Sequence, residues 1–145
     1  MTNTAQQMPA HVGAAYKDAV DNIIFLKRQQ WLATNYVLLL YAAIFVISAQ
    51  YFSRTDFARN SLGIIAIVTF LIHCCVMFIF QRAIDVFRAR LYWIYSTYFS
   101  REEQAGLDLP LITESSLHRL EVAVGLVLVS LVGFVLTAIY LWAVR

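Results

Sequence analysis

Polar and apolar positions along the chain separate into long blocks. The sharpest is Leu62–Phe80, LGIIAIVTFLIHCCVMFIF, which carries no formal charge and is followed at once by QRAIDVFRARLYWIYSTYFSREE. At about 1.5 Å per helical residue such a block covers roughly the 30 Å hydrocarbon core of a bilayer, so it predicts a membrane-spanning helix. No proline or glycine follows until Gly106, and nothing before it instructs the helix to stop at the bilayer surface. The pattern therefore predicts one helix that crosses the membrane over residues 62–81 and continues as an arm over residues 82–105.

Two further blocks have the same character. No residue between Arg28 and Arg54 is charged, which predicts a span over residues 31–52 edged by Trp31 on one side and by Tyr51 and Phe52 on the other. The late start and the length of this block argue against a cleaved signal peptide. The stretch between Glu121 and Arg145 is likewise uncharged, and Ser115 or Ser116 as its cap predicts a third span over residues 116–144. Residues 53–61 form a link short enough to make the first two spans antiparallel neighbours. Residues 106–115, with Gly106 as a helix C-cap and Pro110 beyond it, read as the longer loop.

The flanking segments have helical periodicity. Residues 1–12 are polar, contain Pro9 and are expected to form a flexible tail. Over residues 13–30, Tyr16, Val20, Ile23, Ile24 and Leu26 face one way and Lys17, Asp18, Asp21, Lys27 and Arg28 mostly the other. In the arm Ile84, Phe87, Leu91, Ile94, Tyr95, Tyr98 and Phe99 recur at three and four, while Arg82, Asp85, Arg88, Ser96 and Glu103 lie largely elsewhere. An apolar stripe has to be covered, and the helix over residues 13–30 is its natural cover. The expected fold is an all-α membrane protein with three transmembrane helices, the first two extended into a cytoplasmic amphipathic helical hairpin that stands tilted from the membrane.

Composition agrees with this picture and charge orients it. Hydrophobic residues make up 61% of the chain and charged residues 14%, with mean hydropathy +0.67, outside the range of soluble domains. A net charge of +2 is too small to argue for nucleic acid, and Asp85, Glu102 and Glu103 interrupt the arm's basic residues, so no nucleic-acid partner is expected. One side of the predicted topology holds eight basic residues (Lys17, Lys27, Arg28, Arg82, Arg88, Arg90, Arg101, Arg119), the other three (Arg54, Arg59, Arg145). By the positive-inside rule the amino terminus, arm and loop are cytoplasmic and the carboxyl terminus periplasmic, in a bacterial inner membrane. Arg82, Arg88, Arg90, Trp93 and Tyr95 of the arm are then placed to meet anionic lipid or a cytoplasmic protein partner.

The spans carry the remaining candidate chemistry. Small and polar residues mark where membrane helices meet. The first span places Asn35, Ala42 and Ala49 at heptad spacing, the second places Ala66, Thr69 and His73 on one face, and the third places Ser130, Gly133 and Thr137 together. Asn35, Thr69, His73, Ser130 and Thr137 are the candidate intramembrane polar residues, packing the helices or lining a pore. His73 lies about 4 Å from the expected bilayer midplane by helix rise, and an ionisable group there is a functional candidate by default. It has three readings: a hydrogen bond to Asn35, Ser130 or Thr137, a place on a pore or proton path, or ligation of a haem iron. Cys74 and Cys75 point about 100° apart on a helix, so they and His73 cannot chelate one metal from one chain, and both are expected to pack as buried small hydrophobes.

The haem reading comes from a resemblance. LIH in a middle span with Asp85 near its inner end resembles the membrane-anchor subunits of succinate dehydrogenase, which are also small three-span proteins. That resemblance implies haem b on His73 and quinone near Asp85, although it covers about fifteen residues and has no counterpart to the arm. No Gly-rich phosphate loop, HExxH or nucleophile triad occurs, so no catalytic residues and no resident cofactor are expected outside that alternative. The leading expectation is a non-enzymatic membrane protein that oligomerises and perturbs or gates the bilayer, its stalk binding a partner over residues 13–30 and 82–105. In layout it is similar to the small membrane effectors of bacterial anti-phage and nucleotide-signalling systems. The alternative is an anchor or scaffold subunit of a larger complex.

Overall fold

With three charge-free blocks and few breakers, the described residues fold into three helices: α1 (Ala10–Tyr51, 42 residues), α2 (Asp56–Tyr98, 43 residues) and α3 (Ser116–Ala143, 28 residues). The computed structural model describes residues 9–51, 56–99 and 116–143, all of them helical or helix-flanking. Most of the expected tail, residues 53–55 of the expected link, the Gly106 cap, the Pro110 loop and the Ser115 cap lie outside the described residues; residues 56–61, expected in the link, are instead the first turns of α2, capped in charge by Asp56.

Local chemistry explains where these helices begin and why α2 does not stop. The Pro9 carbonyl accepts from the Val12 and Gly13 amides at 2.9 and 3.2 Å, so α1 starts at Ala10, three residues earlier than the sequence pattern places it. Asp56 sits in the first turn of α2, where a carboxylate favours the helix dipole, and holds Arg59 at 2.8 Å. From there α2 runs unbroken through Gln81 and Arg82, and its ladder persists to the Phe99 amide on the Tyr95 carbonyl.

Rise per residue fixes the scale. α1 and α2 are each about 63–65 Å long and α3 about 42 Å, against a hydrocarbon core of about 30 Å. All three helices are long and apolar enough to cross a membrane. The outward faces bear this out: Ile64, Leu71, Ile72, Phe78 and Ile79 of α2, and Leu128, Val132, Leu136 and Ile139 of α3, are all more than half exposed. Water does not tolerate so continuous an apolar girdle, and lipid does. This is the architecture of an integral membrane protein.

Side-chain contacts set the relative register. α1 and α2 are antiparallel, joined at one end by Tyr16 and Tyr95, whose hydroxyls are 3.0 Å apart, and by Arg90 with Asp18 at 3.5 Å. α3 runs parallel to α1, with the Phe45 and Tyr140 rings stacked at 3.8 Å and Tyr41 against Phe134. It runs antiparallel to α2, with Phe70 stacked on Phe134 at 5.3 Å and Arg59 over the Trp142 ring at 5.9 Å. The Tyr16/Tyr95 end is called here the near end, the Arg59/Trp142 end the far end. Between Tyr41 and the far end lies an apolar cluster of Tyr41, Ile44, Leu62, Ala66 and Leu141, backed by Val37, Leu38 and Phe134.

Toward the near end α1 and α2 continue past their apolar blocks as a pair. Val12, Ala19, Ile84 and Ile94 are buried, and Tyr16, Phe87, Leu91 and Tyr95 are half-buried. The outer surface of the pair is mixed rather than purely polar: Lys17, Asp21, Lys27, Arg28, Arg82 and Arg90 share it with Ile24, Phe25, Val86 and Trp93. Ile24 differs from the sequence expectation, which places it with the covered residues; it turns outward at 61% exposure.

Candidate intramembrane polar site

Buried side chains in the bundle interior include a set of polar groups that apolar surroundings disfavour. Gln30 and Thr34 come from α1, His73 and Gln81 from α2, Ser130 and Thr137 from α3, and all are less than a tenth exposed. The hydroxyl of Tyr41 joins them, its side chain 3% exposed. Each helix contributes, so the set lies where the three helices meet.

Helices in apolar surroundings usually satisfy a hydroxyl on their own backbone. Thr34 donates to the Gln30 carbonyl at 2.9 Å and Thr137 to the Gly133 carbonyl at 2.8 Å, as do Ser61 and Thr97 on the surface with the carbonyls of Phe57 and Trp93. Ser130, fully buried, departs from this pattern: its Oγ has no hydrogen-bond partner. The same is true of the Tyr41 hydroxyl, of both His73 ring nitrogens and of the Gln30 Nε2. Ser130 and Tyr41 approach each other, and the His73 ring approaches the Leu126 carbonyl one turn before Ser130, all short of hydrogen-bond geometry.

Close packing holds these groups at one level. A Cβ on Gly133 would stand 3.0 Å from Tyr41 Cδ2 and 3.1 Å from Leu38 Cδ2, so glycine there lets α1 and α3 approach until the Tyr41 ring covers the α3 backbone. Cys74, beside His73, comes near Tyr41 from α2. The site is thus a phenol, an imidazole and a hydroxyl, one from each helix, with Gln30 nearer the near end. The register also brings Gln30 level with Gln81, whose Nε2 donates to Asp85 Oδ1 at 3.2 Å, linking the interior to an exposed carboxylate.

The sequence-derived candidates distribute unevenly. His73, Ser130 and Thr137 are interior and Thr69 is half-buried, but Asn35 is exposed on the outward face of α1 together with Ala42 and Ala49. The stripe that packs α1 is Gln30, Thr34, Tyr41 and Ile44 instead, because the bulky Tyr41 finds Gly133 opposite it, a fit between helices that one sequence does not display. None of the expected acceptors Asn35, Ser130 and Thr137 is hydrogen-bonded to His73: Asn35 points away, and neither ring nitrogen meets Ser130 or Thr137 at bonding distance. Cys74 is half-buried and Cys75 exposed, so only one of the two thiols turns toward the interior. Among the arm residues Arg82, Arg90 and Trp93 are exposed, Arg88 is half-buried and pairs with Asp85 at 3.4 Å, and Tyr95 is turned toward α1. Tyr41 and Gln30 were the residues sequence reasoning passed over; a tyrosine in mid-span is the signal that marks the first.

A haem does not fit this arrangement. His73 is 2% exposed, enclosed by three helices of its own chain, and axial ligation would require its ring to leave the bundle interior. Compared with known proteins, the chain matches no family model, no curated protein and no solved structure.

Proposed function

We propose that the protein is a non-enzymatic membrane component that self-associates and gates passage across the bilayer, with the near-end extension of α1 and α2 as a cytoplasmic stalk on which a protein partner or anionic lipid acts. The single observation that carries this reading is the cluster of buried polar side chains, Tyr41, His73 and Ser130, that the three helices bring to one level of the bundle interior with no close hydrogen bond among them. Each polar group left unbonded in an apolar interior costs about 1–3 kcal/mol, and more in lipid, where no water competes. Ordinary packing with apolar side chains of the same size avoids that cost. Three polar side chains gathered at one level suit a path for polar species.

Two further features accord with it. The outward α1 stripe of Asn35, Ala42 and Ala49 offers a second copy a close helix approach and an amide that bonds its own kind. The exposed Phe25, Val86 and Trp93 on the stalk, among Lys27, Arg28 and Arg82, suit a partner surface or the headgroup region of an inner bacterial membrane. Reconstitution into dye-loaded liposomes with a parallel mass measurement in detergent tests the reading. It expects an oligomer that raises permeability above that of protein-free vesicles. A monomer that leaves vesicles tight contradicts it.

A further inference from the structure

The interior groups also say which species would pass, an inference that rests on the gating reading above. From the near end inward the buried polar groups are Gln81, bonded to exposed Asp85 at 3.2 Å, Gln30 at about the same level, Thr34 one turn on, and then Tyr41, His73 and Ser130, with Met77 of α2 and Leu126 of α3 buried among them. Beyond them toward the far end the interior turns apolar, with Ile44, Leu62, Ala66 and Leu141 packed together and Thr137 the one buried polar side chain among the described residues there, its hydroxyl, like that of Thr34, donating to its own helix. The polar series thus reaches about the middle of the bundle and ends against an apolar plug.

The chemistry of the series is selective. Among the described residues no charged side chain stands inside it past Asp85, so it offers a dehydrated metal cation no carboxylate and an anion no cation. The Tyr41 ring lies against Gly133 too closely for a hydrated ion to pass between α1 and α3. What the groups share is that amide, hydroxyl, phenol and imidazole each donate and accept hydrogen bonds. Such a chain, bridged by buried water, carries protons. The groups facing His73 are Tyr41 from α1, Cys74 beside it on α2, and Leu126 and Ser130 from α3; imidazole is the one whose ordinary titration lies near neutral pH.

We propose that the interior series is a proton pathway entered at Asp85 and Gln81, with His73 as its relay and the Ile44, Leu62, Ala66 and Leu141 plug as its closed gate. In the relay step, with the plug open, His73 takes a proton on one ring nitrogen from near-end water and gives up the proton on the other nitrogen to water admitted from the far end, which leaves as hydronium. The imidazole is left neutral in its second tautomer, and a ring flip or the return of a proton through water restores the first. No bond other than N–H and O–H is made or broken, and no redox partner enters.

The test uses full-length protein in liposomes containing a pH-sensitive dye, with potassium and valinomycin setting the potential, and Leu62→Ala to thin the plug. Proton uptake is expected at least tenfold faster than in protein-free vesicles, with no potassium or chloride flux in parallel assays. His73→Gln, which keeps a donor and an acceptor but cannot carry the charge, is expected to remove at least nine-tenths of the uptake in the Leu62→Ala background. Asp85→Asn, which keeps an oxygen acceptor for Gln81 but removes the carboxylate at the entrance, is expected to slow it severalfold. Potassium or chloride flux, or proton flux that His73→Gln leaves intact, overturns the proton assignment and leaves gating standing. Vesicles tight to all three ions overturn both.

Discussion

Residue by residue, the interior of this bundle is explained by where each polar atom finds its hydrogen bond. Thr34 and Thr137 are content with their own helix, whereas Ser130, Tyr41 and His73 are not. Their level is held by the contact of Gly133 with Tyr41, and that contact can be tested. Gly133→Leu forces the Tyr41 ring and Leu38 outward and is expected to destabilise the bundle by about 1–3 kcal/mol, read as lowered resistance to detergent unfolding. Gly125→Ala, whose Cβ meets nothing within 4 Å, is the control and is expected to leave stability within about 0.5 kcal/mol. At the near end Tyr95 sets a pH limit. Burial first and the Tyr16 hydroxyl second push its phenol up to about 12, above the ordinary 10.0. The folded pair therefore holds that proton more tightly than the unfolded chain does, so its contribution is complete below pH 10.0 and is lost as pH rises toward about 12. Hydrogen exchange over residues 84–98 is expected to accelerate through that window in the native chain. Tyr95→Phe is expected to lose that part of the alkaline dependence, and an unchanged profile in the variant would contradict the assignment.

Among the elements, α2 was the most legible in sequence and α1 the least. A charge-free block followed by an arm without glycine or proline predicts one continuous helix, and α2 runs from Asp56 to Tyr98 without a break. The inward faces of α2 and α3 were legible too, since Ala66 with His73 and Ser130 with Thr137 turn to the interior. For α1, two stripes compete about one residue apart, Asn35 with Ala42 and Thr34 with Tyr41, and residue size alone favours the former. The latter is buried because a large ring on one helix needs a gap on another, and Gly133 supplies it; that pairing is a property of two helices together. The stalk contacts belong to this scale as well. Arg90 and Asp18 at 3.5 Å form an exposed pair, for which about 0–1 kcal/mol is the ordinary worth, so Arg90→Ala is expected to change hydrogen-exchange protection of residues 12–26 only slightly. Tyr16→Phe, which removes the hydroxyl contact of 3.0 Å with Tyr95, is expected to cost about 0.5–1.5 kcal/mol and to be the more visible of the two.

On the scale of the whole molecule, length decides the architecture. Two helices of about 63–65 Å cannot be contained in a hydrocarbon layer of about 30 Å without extending well beyond it or lying steeply tilted. The basic residues collect where the extension leaves the apolar block, with Lys27, Arg28 and Arg82 exposed at one level, which is the charge pattern the proposed cytoplasmic orientation rests on. α2 runs as a single helix from the apolar block into the extension, which is the continuity that the proposed coupling of stalk and interior requires. The most direct test of this continuity is a depth profile of spin labels placed singly on the exposed positions of α2 from Phe57 to Trp93, in bilayers, with oxygen and a water-soluble relaxant as probes. The account predicts oxygen-rich, lipid-immersed labels at Ile64, Leu71 and Phe78, a crossing near Arg82, and water-accessible labels at Val86 and Arg90. Labels at Val86, Arg90 and Trp93 that remain as deep as the one at Phe78 would contradict it.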